Sequence, residues 1–334
     1  MLLAAEFRLA GHELGEDVNA QNAMRLLSIV CALFFASSNS AFGQSVGFKE
    51  VKIRDGAEPP LTAGIWYPVV AGSNEILAGR HALVLMSHGG GGAYDGHSDT
   101  AIALARAGIV AAAVNHAGDT FDDQSKVRQL WRRPAQLHRL ADYLLNDRQW
   151  HRKIDAARVG AFGFSNGGFT VLVAAGGVPQ LSQIGPYCEA HPEHDLCAAL
   201  AHAGVGAPNG SEVPPGAWVA DRRIKAAVVA APAFGFTFDR MGLSGVSAAI
   251  QLWRAESDRH QPDPFYEEAI REALPTPPEF HVVESAGHYD FLPPCGGQMA
   301  RAVPAVCSSA LNFDRRAFHE QFNREVVRFF QVAL

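Results

Sequence analysis

The sequence is poor in charge, in cysteine and in long apolar runs, and each shortage excludes something. Charged residues make up 19% of its 334 positions, with a formal net charge of −6. That balance gives no basic surface to attract nucleic acid or an anionic membrane. The longest N-terminal apolar run, Leu26 to Ala36, is too short to span a bilayer comfortably. No phosphate-binding lysine follows the glycine-rich stretch Gly89 to Gly92, and no dinucleotide fingerprint fits there. No repeat and no linker divides the chain after the first apolar run. A composition 48% hydrophobic then fits one large α/β domain.

The N-terminus has the pattern of a secretory leader. Arg25 precedes the apolar run, and Ala41 and Gly43 put small residues at −3 and −1 of a cleavage before Gln44. Translation is expected to start at Met24, since residues 1–23 lack such a pattern. The mature chain, residues 44–334, is expected to be secreted or periplasmic, with no membrane anchor once the leader is gone. Of five cysteines, Cys31 lies inside the apolar run and would be removed, not lipidated. The remaining four, Cys188, Cys197, Cys295 and Cys307, suit disulfides in an exported protein, and three pairings are open. The two sequence-local pairs are the expected ones. Each short loop would contribute about 2–3 kcal/mol by constraining the unfolded chain.

From Val46 onward, buried-type strands alternate with helices. "VKIRD" and "TAGIWYPV" lead, followed by "HALVLM", "GIVAAAVNH", Val159–Phe162, "IKAAVVAAPA", "SAAIQLWRAE" and "EFHVVESAG". Helices are expected over residues 99–107, over the stretch with Leu137, Leu140 and Leu144 at helical spacing, after Ser165, and at the C-terminus. Pro134 fits the first turn of the second of these. Nearly continuous apolar strands between helices predict a mostly parallel central sheet of about eight strands, covered on both faces. Residues 177–223 break the alternation and are rich in Pro, Gly, His and Cys. They read as a lid-like insertion over the C-terminal strand ends.

Four short stretches carry chemistry. Gly163-Phe164-Ser165-Asn166-Gly167 fits G-x-S-x-G between a strand and a small-residue helix. Such an elbow puts serine in a strained turn, so residues two positions either side must lack bulk. Ser165 is then the candidate nucleophile, with a helix N-terminus behind it where negative charge can develop. His288, in "AGHYDF" just past a late strand, is the candidate base. Asp258 is the candidate carboxylate to orient it, in the loop beyond "QLWRAE"; Glu256 is the alternative. The glycines of "SHGGGG" let backbone approach a substrate closely, and the N–H groups of Gly90 and Asn166 are the expected oxyanion donors.

Other residues read more weakly. His191, His194 and His202 could suggest a metal cluster, but solvent-facing histidines are the expected outcome, so no metal and no cofactor is assigned. Tyr94, Phe164, Phe234, Phe236, Trp253, Tyr289 and Phe291 sit near strand ends and could wall an acyl pocket or pack in the core. His116, at a strand end, could line the site or be structural. "KVRQLWRRP" reads as a solvated approach to a helix.

Together these residues resemble the α/β-hydrolase superfamily. Within it, the chain looks like the predicted dienelactone hydrolase group and is similar to platelet-activating-factor-acetylhydrolase-like enzymes. The likeness runs through "GIWYPV", "SHGGGG", "RRPAQLHRLADYLL", "KIDAARVGAFGFSNGGFT", "QLWRAESD", "AGHYDFLPPC" and "FDRRAFH". It implies the α/β-hydrolase fold, with Ser165, Asp258 and His288 as nucleophile, acid and base, and Gly90 and Asn166 at the oxyanion positions. Dienelactone hydrolases carry cysteine where Ser165 stands. Acetylhydrolase-like elbows carry histidine where Phe164 stands and a bulkier residue than Asn166. The expected activity is therefore that of a secreted, cofactor-independent serine esterase on a small-molecule ester. An amidase or peptidase with the same three residues, and a catalytically silent binding protein, are the alternatives.

Overall fold

The structure is a computed structural model and describes residues 45–334; the expected leader, Met24, Cys31 and Gln44 lie outside the described residues. In chain order its first half runs β1 (Ser45–Asp55), β2 (Glu58–Val69), β3 (His81–Ser87), α1 (Ser98–Arg106), β4 (Val110–Val114), α2 (Arg132–Asn146), β5 (Ile154–Phe164) and α3 (Asn166–Ala174). The second half adds α4 (Ile184–Ala190), α5 (Asp195–His202), β6 (Ile224–Ala230), β7 (Ala249–Ala255), α6 (Glu267–Ala273), β8 (Glu279–Val283), α7 (Gly297–Ala302), α8 (Pro304–Cys307) and α9 (Arg315–Ala333). All eight strands expected from the sequence are present.

They form one sheet in the order β1-β2-β4-β3-β5-β6-β7-β8. β1, β2 and β4 pair antiparallel, and every pair from β4 through β3 to β8 is parallel. β3 and β4 are buried at every position, as strands sealed on both faces must be. Alternation along β3 sorts the two cores. Leu83 and Leu85 pack with Leu137, Leu140 and Leu144 of α2 and Phe169 of α3. Ala82, Val84 and Met86 face the opposite way, with Leu104 of α1 and Phe322 and Phe330 of α9. Removing a side chain such as Phe330 from this layer would cost about 3–5 kcal/mol.

Parallel order matters for function because it sends the C-terminal ends of β3, β5, β7 and β8 to one edge. In open α/β sheets that edge is where ligands bind. The insertion is more regular than the sequence suggested. It holds a 3₁₀ turn at Leu181–Gln183 and the helices α4 and α5. Each helix is about two turns, too short for a 3.6-residue period to show. A disulfide between Cys188 and Cys197 joins them, and a second links Cys295 to Cys307, the two local pairs. No helix among the described residues is long and apolar enough to cross a membrane.

Candidate active site

Ser165 is the one residue between β5 and α3. Its backbone is at φ 56°, ψ −120°, a conformation that side-chain-bearing residues rarely adopt. Three backbone bonds hold it there: its N–H donates to Ala230 O (3.0 Å), and its carbonyl accepts from Phe169 (3.1 Å) and Ala233 (3.0 Å). The flanking glycines are obligatory on steric grounds. A Cβ on Gly163 would lie 2.1 Å from Gly167 O, and one on Gly167 would lie 1.9 Å from Ser87 O.

His288 opens a 3₁₀ turn after β8, with Nε2 3.1 Å from Ser165 Oγ. Its Nδ1 lies 2.7 Å from Asp258 Oδ2, and both side chains are buried. The other oxygen of Asp258 accepts N–H bonds from His260 and Gln261, each at 2.8 Å. One carboxylate thus closes its own loop and meets the imidazole. Glu256, the alternative, instead accepts from the Ser285 N–H at 2.8 Å. The His288 turn is braced from the C-terminal helix. Asp290 accepts from Gly287 N–H (2.8 Å) and from Arg315 Nε (2.9 Å), and the Asp290 carbonyl lies 3.0 Å from His319 Nε2.

The glycine loop after β3 approaches this serine directly. A Cβ on Gly89 would come 3.5 Å from Ser165 Cβ, and one on Gly90 would come 2.7 Å from Asn166 Nδ2. Among the described residues, neither the Gly90 N–H nor the Asn166 N–H meets a protein acceptor. Both sit beside the serine with their donors free.

A cavity of about 450 Å³ opens over Ser165. Phe164, Phe234 and Tyr289 line it, as do Asp195 and Leu196 of the insertion. Its remaining walls include His97, His260, Gln261, Tyr266 and Leu292, and no lysine or arginine is among its lining residues. Asp195 Oδ2 is 2.8 Å from His260 Nδ1, so the insertion is tied to the loop that carries Asp258. Burial, then the neighbouring His288, lowers the His260 pKa below the ordinary histidine value.

Several expected pocket residues lie elsewhere. Tyr94 packs on Phe48 and Trp66 and donates its hydroxyl to Glu50, because β1 and β2 offer it an aromatic surface outside the cavity. Trp253 stacks on His281 at 4.0 Å between centroids and donates to Gln251, in the core. Phe291 is fully buried among the α9 aromatics, and Phe236 stacks on Tyr187. His116 is wholly buried behind the glycine loop, bonded to Ser87 and Gln136. His202 is exposed, but His191 and His194 are partly covered. Their ligand atoms and those of Glu193 lie within 4.8 Å of one another. The two rings stack nearly parallel, at 6°, and Tyr187 occupies His194 Nδ1.

The sequence reading missed His97, His260, Gln261 and Tyr266, which carry no motif and reach the cavity only through loop packing. It also placed "WRRP" in solvent. Arg133 in that stretch is 2% exposed, because a buried aspartate, the Thr170 hydroxyl and the His88 carbonyl receive its donors.

The sheet order, the elbow and the loop positions are those of the α/β-hydrolase fold. A crystal structure of a dienelactone hydrolase from Anabaena variabilis superposes with a TM-score of 0.53, at 16% identity, over 86% of this chain and 99% of that one. At that identity the likeness is one of fold. No protein-family model and no curated protein matches the sequence.

Proposed function

We propose that this chain is a serine hydrolase of carboxylic esters, with Ser165 as nucleophile, His288 as general base and Asp258 as its orienting carboxylate. The observation that carries the reading is the continuous path Ser165 Oγ–His288 Nε2 (3.1 Å) and His288 Nδ1–Asp258 Oδ2 (2.7 Å) at the floor of the cavity. In this reading Oγ attacks the ester carbonyl carbon while its proton passes to Nε2. Asp258 holds Nδ1–H toward itself and offsets the positive charge that the ring acquires. The tetrahedral oxyanion is received by the N–H groups of Gly90 and Asn166. Collapse breaks the C–O bond, and Nε2–H protonates the departing alkoxide. Water, deprotonated by the same nitrogen, then attacks the acyl-enzyme, and the carboxylic acid leaves with Ser165 restored.

The lining supports small neutral esters. It combines aromatic and aliphatic side chains with histidines and amides, it offers no lysine or arginine to pair with a carboxylate or phosphate on the substrate, and Asp195 stands at its wall. Export belongs to the same proposal, supported by the leader pattern and the two disulfides.

The test compares the parent with Ser165→Ala on short-chain p-nitrophenyl esters and on a matched anilide. Parental ester turnover by the variant would sink the proposal. Preference for the anilide would shift the reading to an amidase.

A further inference from the structure

Behind the glycine loop lies a buried polar network that touches neither Ser165 nor His288. Its centre is Arg133, on α2. The Nε donates to Thr170 Oγ1 at 3.0 Å, and Nη1 donates to Asp119 Oδ2 at 2.5 Å. Nη2 donates to the carbonyl oxygen of His88 and, at 3.5 Å, reaches Ser87 Oγ. Each partner passes the constraint on. Asp119 Oδ1 accepts the Gly91 N–H at 2.8 Å. Thr170 Oγ1 donates to the Asn166 carbonyl at 2.6 Å.

The consequence is geometric. His88 C=O and Gly91 N–H flank the short backbone segment that contains Gly90. Asn166 comes directly after the nucleophile, on a different element. One guanidinium therefore holds both segments that carry the two N–H groups without a protein acceptor. A planar fork with five donors in fixed directions can grip four groups at once, which a lysine ammonium cannot do. Full burial gives these bonds a low-dielectric setting, where they resist small displacements.

We propose that Arg133 is a positioning residue that sets the spacing of the Gly90 and Asn166 donors for the transition state. This rests on the serine-hydrolase reading above. Arg133 touches no substrate atom. Its effect falls on the oxyanion, because misplacing donors weakens the transition state more than the bound ester.

The experiment uses the full chain with Arg133→Gln, Arg133→Lys and Thr170→Val, each checked for folding by circular dichroism. The readouts are kcat and KM on p-nitrophenyl butyrate and the Ki of a trifluoromethyl ketone, which adds to the serine and forms an oxyanion. Arg133→Gln is expected to lower kcat about tenfold to hundredfold with KM within about threefold. The ketone Ki is expected to rise by the same factor as kcat falls, and Arg133→Lys should recover little. A folded Arg133→Gln protein with parental kcat and Ki overturns the proposal, and so does a kcat loss with Ki unchanged. If Arg133→Gln does not fold, Thr170→Val decides. A smaller loss in kcat matched by Ki supports the proposal, and parental values overturn it. Fluorophosphonate labelling of the parent separates the two levels: an unlabelled parent Ser165 removes the hydrolase reading itself, whereas a labelled parent with indifferent variants removes only the role of Arg133.

Discussion

His288 Nδ1 and Asp258 Oδ2 lie 2.7 Å apart although 30 residues separate them in the chain. Adjacent parallel strands make this possible, since β7 and β8 deliver their C-terminal loops to the same edge of the sheet. Asp258→Asn keeps the size of the side chain but lets it favour the wrong imidazole tautomer. Esterase kcat is expected to fall about 10⁴-fold, with a much smaller change in KM. Glu256→Gln, whose parent carboxylate meets only a backbone N–H, is expected to stay within a few-fold of the parent in the same assay.

The elbow allows a stability test with an internal control. Gly167→Ala drives a methyl to 1.9 Å from a backbone carbonyl that cannot move without shifting β3. The expected cost exceeds about 3 kcal/mol, read as a lower denaturant midpoint or as loss of folded protein. Gly185→Ala, inside α4 with nothing within 4 Å of the new methyl, is expected to stabilise by about 0.5–1 kcal/mol.

Three buried histidines set the acid limb of stability. Burial pushes His88 down to about 3 and His97 down to about 4, and holds His116 well below its ordinary 6.5. Arg133 adds to the effect on His88 and His116. All three are neutral when folded and protonate when unfolded below pH 6.5, so the unfolded state binds more protons there. Stability is expected to fall as pH drops below 6.5, by about 1.4 kcal/mol per pH unit for each histidine until its folded pKa is reached. Urea denaturation at a series of pH values measures the slope.

Glu267 acts on the opposite limb. It is wholly buried, both of its oxygens lack partners, and burial followed by the nearby Asp258 raises its pKa well above 4.5. The folded state keeps this proton at pH values where the unfolded chain has lost it. Stability is therefore expected to decline as pH rises above about 4.5 toward the raised folded pKa. Glu267→Gln, a neutral mimic of the protonated acid, should remove that decline and raise the denaturation midpoint near neutral pH. A variant less stable than the parent at pH 8 would show that the carboxylate is needed in its charged form.

The eight strands were readable because buried parallel strands are written as apolar runs, "HALVLM" and "AAVV" being the clearest. The meeting of Ser165 and His288 was readable because a strained turn demands glycine and the C-terminal ends of parallel strands share one edge of the sheet. Asp258 was preferred to Glu256 because it lies in the loop beyond the strand, but its bonds to His288, His260 and Gln261 are encoded in no linear pattern. Arg133 was misplaced because a charged side chain close to another arginine and a tryptophan looks like surface. Its burial depends on Asp119, His88 and Thr170, which lie far apart in sequence. Tyr94 and Trp253 show the reverse error: aromatics near strand ends look like pocket walls until the neighbouring strands claim them.

Asp195 at the cavity wall, with no lysine or arginine beside it in the lining, bears on the step after hydrolysis. In the proposed reaction a neutral ester enters that space, and its acid product ionises once released from Ser165. Asp195 pairs across the wall with His260, whose pKa is lowered by burial and then by His288. No lysine or arginine of the lining retains the product, and Asp195 adds repulsion. Turnover under the proposed reaction should be insensitive to accumulated carboxylate, with departure of the acid helped by the same wall that leaves entry of the neutral ester undisturbed.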